Sequence, residues 1–202
     1  MDSPSTSRDF PGFDKLFEMN DPLADRPYRG DVDVEWVKKG FVFIRGEVVP
    51  EEAVAVTHAM GEAIPQDVIW TTSVAFLVVS QRFIDILLDN RFTGWSTYPV
   101  EVYSKAGELL PGYFGFSVGG RCGPIEYEKS QVIYEDMPGG RVPSYKGLYF
   151  DPDSWDGSDF FMPSDRGGWK LTLEPVKRAL EKAKVRNIRF KRLDETVRPT
   201  LR

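Results

Sequence analysis

Between Phe76 and Tyr103 the chain reads FLVVSQRFIDILLDNRFTGWSTYPVEVY, an order of signals that few folds accommodate. Phe76 to Val79 is a short apolar run suited to a buried strand, and Ser80 follows where a helix needs an oxygen to accept its first free amides. Phe83, Ile84, Leu87 and Leu88 then mark one face of a short helix, Thr93-Gly94 ends it, and Trp95 to Tyr103 is extended again. The same layout returns near the C-terminus in KLTLEPVKRALEKAKVRNIRFKRL. There Leu171 to Leu173 read as a strand and Glu174-Pro175 opens a helix with Val176, Ala179, Leu180 and Ala183 as its stripe. After Asn187, Ile188, Phe190 and Leu193 alternate with basic residues. Setting Leu87 on Leu180 and Gly94 on Asn187 aligns the two stretches with a single one-residue gap. The offset is too long for a solenoid repeat. Two similar strand-helix-strand units in one domain, or a coincidence of two common layouts, both fit the pattern.

The rest of the chain is read around these stretches. Residues 1–29 are rich in Pro, Asp and Ser without a sustained period and predict an irregular arm. In DVDVEWVKKGFVFIRGEVV, Val32, Val34 and Trp36 alternate with charges before Lys39-Gly40, and Phe41, Phe43 and Arg45 resume, which predicts one or two strands. EEAVAVTHAMGEAI has helical composition behind Pro50. Gly112, Gly115, Gly119, Gly120 and Gly123 are interleaved with Tyr113, Phe114 and Phe116, as in strands with turns or close backbone approach. SQVIYED, residues 130–136, is a further strand. The expected fold is α+β: a single domain over residues 30–202 with a mixed or antiparallel sheet and two to four short helices.

Composition narrows the function classes. The 202 residues, 41% hydrophobic, can bury a sizeable core. A net charge of −5 argues against tracking a phosphate backbone and is compatible with a basic protein partner. The longest apolar runs, such as VAFLVV, are too short to span a bilayer, and MDSPSTSRDFPGF lacks the features of a secretory signal. With one cysteine there is no intramolecular disulfide framework, and a cytoplasmic location is the expectation.

Catalytic groups are sparse. The only histidine, His58, lies among apolar neighbours without another His or Cys at ligand spacing, so it reads as an ordinary half-buried residue. Cys122, in GGRCGPIE, could be activated by Arg121, with a small buried thiol as the alternative. GFSVGGRCG matches no phosphate-binding loop, and Glu126 with Glu128 is a carboxylate pair of a kind that acidic chains offer freely. No cofactor is implied and no catalytic residue is assigned.

One segment has unusual surface chemistry: FDPDSWDGSDFFMPSDRGGW, residues 150–169. As a calcium loop it is a poor fit, because Trp155 stands in the fifth position, Gly157 falls one late and Met162 replaces the bidentate Glu. No metal site is assigned. As a partner-binding surface it has the right ingredients: Asp151, Asp153, Asp156 and Asp159 to steer a basic partner, and Trp155 as an aromatic anchor. Folding of Trp155, Phe160 and Phe161 onto the core is the competing reading.

SDFFMPSDRGGWKLTLEPVKRALEKAKVRNIRF, residues 158–190, resembles the C-terminal signature of immunity family eleven of bacterial polymorphic toxin systems, and is similar to paralogous proteins of myxobacteria. Asp159-Phe160 stands at the acidic-aromatic pair, Glu174 and Val176 at the helix opening, and Ile188 and Phe190 at the exit strand. Phe76 to Trp95 resembles the same signature again. The cysteine pairs of the myxobacterial relatives are missing. The resemblance implies a non-catalytic α+β protein that binds and neutralises a cognate toxin; the chain's acidity suits a basic target, for instance a nuclease, and argues against a nucleic-acid partner, as its short apolar runs do against a membrane. The competing class is an enzyme or a small-molecule or glycan-binding module centred on the Gly-rich segment around Cys122.

Overall fold

The computed structural model describes residues 8–23, 26–137, 140–165 and 167–199. The first half of the chain forms β1 (Leu16–Asn20), β2 (Arg29–Val32), α1 (Val34–Ile44), β3 (Val54–Met60), β4 (Val68–Thr71), β5 (Leu77–Ser80), α2 (Gln81–Asp89), β6 (Trp95–Tyr98) and β7 (Val100–Tyr103). The second half forms β8 (Leu109–Leu110), β9 (Tyr113–Val118), β10 (Gly120–Cys122), β11 (Gln131–Met137), β12 (Gly140–Lys146), β13 (Phe160–Pro163), β14 (Leu171–Leu173), α3 (Glu174–Lys182), β15 (Arg189–Arg192) and β16 (Val197–Pro199). The fold is α+β, with sheets ordered β6-β9-β5-β4-β2-β3-β7-β8, β10-β13-β14-β1-β15 and β11-β12-β16.

The two strand-helix-strand units are present and the likeness runs deep. Strand order β6-β9-β5-β4-β2 in one sheet has its counterpart β15-β1-β14-β13-β10 in the other, with three antiparallel pairings followed by a parallel one in both. Ser80 caps α2 by accepting the Phe83 amide at 3.2 Å, and Pro175 opens α3. Both helices then end in one motif. Arg91 and Lys184 take left-handed backbone at φ 56° and 54°. The next amides, of Phe92 and Val185, donate to the Leu87 and Leu180 carbonyls at 3.0 Å each. Gly94 and Asn187 follow, both with positive φ. The units also clamp each other reciprocally: Asp159, just before β13, accepts the Thr93 amide at 2.9 Å, and Asp67, just before β4, accepts the Arg186 amide at 2.9 Å.

The units differ in where the middle strand comes from. In the first, β9 follows β6 along the chain; in the second, the equivalent place between β14 and β15 is taken by β1 from the N-terminus. The expectation of an irregular arm through residue 29 is therefore corrected at Leu16–Asn20. Leu16, Phe17, Glu18 and Met19 are all buried, because a central strand covered on both faces shows no polar alternation. Residues 1–7 of that arm lie outside the described residues.

Alternation sorts the apolar side chains into three cores. Val68, Leu77, Val79 and Phe116 of the first sheet meet Met19, Phe160 and Met162 of the second, together with Phe83 and Leu87 of α2 and Val176 and Leu180 of α3. Ile69 and Val78 face the other way, against α1 through Phe43 and Phe76. Leu16, Phe161, Leu171 and Leu173 form the far side of the second sheet with Phe150 and Trp155.

Three further sequence expectations give way. Val34–Ile44 is a helix, capped by Asp33, whose carboxylate accepts the Glu35 amide at 2.8 Å. Gly40 is no turn there: a Cβ on it would stand 2.4 Å from the Phe76 ring, so the glycine lets α1 lie against the sheet. Val54–Met60 is a strand, with Val54 and Val56 buried and Thr57 exposed, so β-branched alternation outweighs helical composition. Leu88 leaves the predicted stripe of α2 and is 58% exposed, the buried face being Phe83, Ile84 and Leu87.

Candidate partner-binding surface

After Phe150 the chain makes a rigid acidic loop. Asp151 caps a single 3₁₀ turn, Pro152–Ser154, by accepting the Asp153 amide at 3.1 Å, and the Ser154 hydroxyl accepts the Gly123 amide at 2.7 Å. Trp155 turns inward: it is buried, edge-on to Phe10 at 5.9 Å and tilted on Phe161 at 6.0 Å, and its ring N–H donates to the Ser158 carbonyl at 3.1 Å. Asp156 accepts the amides of Arg121 at 2.7 Å and Ser158 at 3.0 Å. Asp159 is buried and fully engaged, taking the Arg8 guanidinium at 2.7 Å on one oxygen and the Thr93 amide and hydroxyl on the other.

Of the five residues read as a partner surface, Asp151, Asp153 and Asp156 are exposed and close together in the chain, while Trp155 and Asp159 are buried. Trp155 is not available as a surface anchor, because Phe10 and Phe13 pack over Phe150 and Trp155 from the N-terminal side. Sequence reasoning missed those two phenylalanines; only their spacing within DFPGFDKLF hinted at packing. The acidic surface extends beyond the loop. Lys129, held by Glu126 in the turn Tyr127–Lys129, has its charge favoured by Asp151 and Glu128 as well, which places this turn beside the loop. Glu126 stands just before this 3₁₀ turn and Glu128 lies within it. Residues 126–156 hold seven carboxylates against three cations, a net of −4 in a chain of −5.

The other chemical candidates are accounted for by packing. Cys122 is 2% exposed, and burial, with Asp156 and Asp165 nearby, pushes its thiol up to about 12, outweighing the opposite pull of Arg121. It is therefore a thiol at neutral pH. The Arg121 guanidinium is spent on the carbonyls of Val118, Gly120 and Arg45. Gly120 brings β10 against β13, where a Cβ would lie 2.2 Å from the Phe160 carbonyl oxygen. His58 sits on β3, half-buried against the Tyr28 ring. Among the described residues no three His, Cys, Asp or Glu side chains are placed to hold a metal ion. A cleft of about 750 Å³ between α1 and Val48–Glu52 is lined by Trp36, Val42 and Phe43 together with Glu and Lys side chains and does not reach Cys122.

The architecture is thus two interlocked split strand-helix-strand units, with an exposed acidic loop leading into the second. The chain belongs to the immunity protein family Imm11, whose pattern it matches over residues 6–195. No curated protein matches it. Among the described residues, no helix is long and apolar enough to cross a membrane.

Proposed function

We propose that this protein binds and neutralises a cognate protein toxin, and that the exposed carboxylates of Asp151, Asp153 and Asp156 form part of the surface that meets it. Membership of the immunity family carries the first half of this reading. The second half is supported by the way the loop is built. Its backbone is pinned by Asp151, Asp156, Ser154 and Trp155, so its charges are presented without an ordering cost on binding. The partner that fits is basic, for instance a nuclease whose substrate groove already attracts phosphates. Neutralisation then requires only that the groove be covered, with no catalysis by the immunity protein.

The test uses the purified product of the neighbouring open reading frame, the natural place to seek the toxin of an immunity protein. Association is followed by stopped flow at rising salt for the wild type and for Asp153→Lys. Asp153 is chosen because Asp156 also holds the Arg121 amide. The expected result is slower association and a flatter salt dependence in the variant. Identical rates at every salt concentration would remove the loop from the interface, and no binding by the wild type would overturn the toxin-binding reading itself.

A further inference from the structure

The hairpin β11–β12 is hard to explain as part of a self-sufficient fold. It has seven consecutive cross-strand pairs, from Gln131 opposite Lys146 to Met137 opposite Gly140, a ribbon about 20 Å long at ordinary strand rise. Only Ser144, Tyr145 and Lys146 at its base pair with β16. None of its described side chains belongs to the three apolar cores, and it touches the third through Tyr145, tilted at 4.7 Å on Tyr127. A two-stranded ribbon is marginally stable in water, and this one exposes Val132 at 53% and Tyr134 at 61% on one face. Those two stand opposite Tyr145 and Pro143, with the exposed pair Asp136 and Arg141 beyond them.

Its two outer edges are treated differently. β12 carries Pro143 and Arg141 in the part that extends past β16, residue types that discourage further pairing. β11 reads QVIYEDM, with neither proline nor lysine, and no described strand pairs with its outer edge. Glu135 and Asp136 blunt the far end of this edge, while Gln131–Tyr134, with Val132 and Tyr134 exposed, has no such protection. This stretch is left open beside the acidic patch that holds Glu126, Glu128 and Asp151.

We infer that the β11–β12 hairpin is the arm this protein lays into a positively charged groove of the toxin, with Val132 and Tyr134 as apolar anchors and the outer edge of β11 pairing with a strand of the partner. The inference rests on the toxin-binding reading above and adds to it the inserted element. Net acidity of the surrounding surface selects a basic groove, the aromatic supplies buried area, and the open edge supplies main-chain hydrogen bonds.

The experiment measures binding of the neighbouring frame's purified product to wild type, to the double variant Val132→Ala/Tyr134→Ala and to Asp153→Lys, with hydrogen exchange on the wild-type complex. Because the hairpin lies outside the cores, the double variant should melt with the wild type. Its dissociation constant should rise roughly tenfold or more, mostly through faster dissociation, and amides of residues 131–137 should exchange more slowly in the complex. Binding within about twofold of wild type, or unchanged exchange along β11, overturns the arm while leaving toxin binding intact. Loss of binding in Asp153→Lys alone assigns the interface to the acidic loop and also overturns the arm. If the double variant fails to fold, exchange in the wild-type complex decides. If the isolated protein sediments as a dimer that the double variant abolishes, the edge serves a second copy and the inference fails. No binding by the wild type sinks both readings together.

Discussion

Removing residues 1–20 tests the architecture most directly. The truncation takes β1 out of the middle of its sheet and leaves β14 and β15 without the strand that joins them. Leu16, Phe17 and Met19 are 0%, 7% and 3% exposed, and burying such side chains is worth roughly 1.5–3 kcal/mol each. Their loss costs about 5–9 kcal/mol before any backbone pairing is counted, against a total stability of about 5–15 kcal/mol for an ordinary protein. The truncated chain is therefore expected to lose cooperative unfolding of its C-terminal unit, seen as collapsed dispersion of that unit's amide signals and a weakened urea transition. A synthetic peptide of residues 8–22 should restore both in trans. A truncated protein whose unfolding free energy stays within about 1 kcal/mol of the full chain would refute the assignment of β1 as a structural strand.

Four further outcomes follow from the same geometry. Asp159→Ala should destabilise by about 3 kcal/mol, since it strands the Thr93 amide and removes a buried carboxylate with its Arg8 partner, whereas Asp153→Ala should stay within about 0.5 kcal/mol in thermal or urea melts. Gly94→Ala should cost about 2 kcal/mol or more, because φ is 81° and a Cβ would sit 2.1 Å from the Phe160 carbonyl oxygen. Asn187→Gly, which keeps the backbone and loses only the bond to the Val68 carbonyl, should cost about 1 kcal/mol. Cys122 should resist alkylation in the native state at pH 8 and react only on unfolding, as judged by mass spectrometry.

The pH dependence of stability above neutrality sets two buried groups against each other. Burial lowers the Lys170 ammonium from 10.5 to about 8, despite the neighbouring Glu18, so the unfolded chain binds more protons between those values and Lys170 makes stability rise with pH. Burial raises the Cys122 thiol from 9.0 to about 12, so its contribution is whole below pH 9 and is lost as pH climbs toward 12. Between pH 9 and 10.5 the two slopes oppose. Nearer pH 10 the tyrosines Tyr28 and Tyr98, also raised by burial, add a fall of their own, so urea titrations between pH 8 and 9 are the test: stability should rise with pH in Cys122→Ala and not in Lys170→Met, and the same slope in both variants would contradict the assignment.

What could be read in advance follows a physical division. The units β5-α2-β6 and β14-α3-β15 were legible because their signals are local: a serine cap, a proline start, an apolar stripe and a glycine or asparagine exit. β1 was not legible, since LFEMN is buried on both faces and its partners are some 150 residues away. α1 was misread because Gly40 serves as a contact for Phe76 rather than as a stop. In the candidate surface, the exposed Asp151, Asp153 and Asp156 were visible as charges. The inward turn of Trp155 depends on Phe10 arriving from the other end of the chain, and no local pattern encodes that.

The borrowed strand also sets a clock on the protein's manufacture. Leu16–Asn20 leaves the ribosome some 150 residues ahead of the strands on either side of it, Leu171–Leu173 and Arg189–Arg192. At about 5–20 residues per second the N-terminal segment waits roughly 8–30 s for its neighbours. The first unit can close around α2 during that interval, but β1 has no partner until β14 and β15 have emerged. A chain that stops short of Leu171 therefore lacks both neighbours of β1 and cannot close the C-terminal unit.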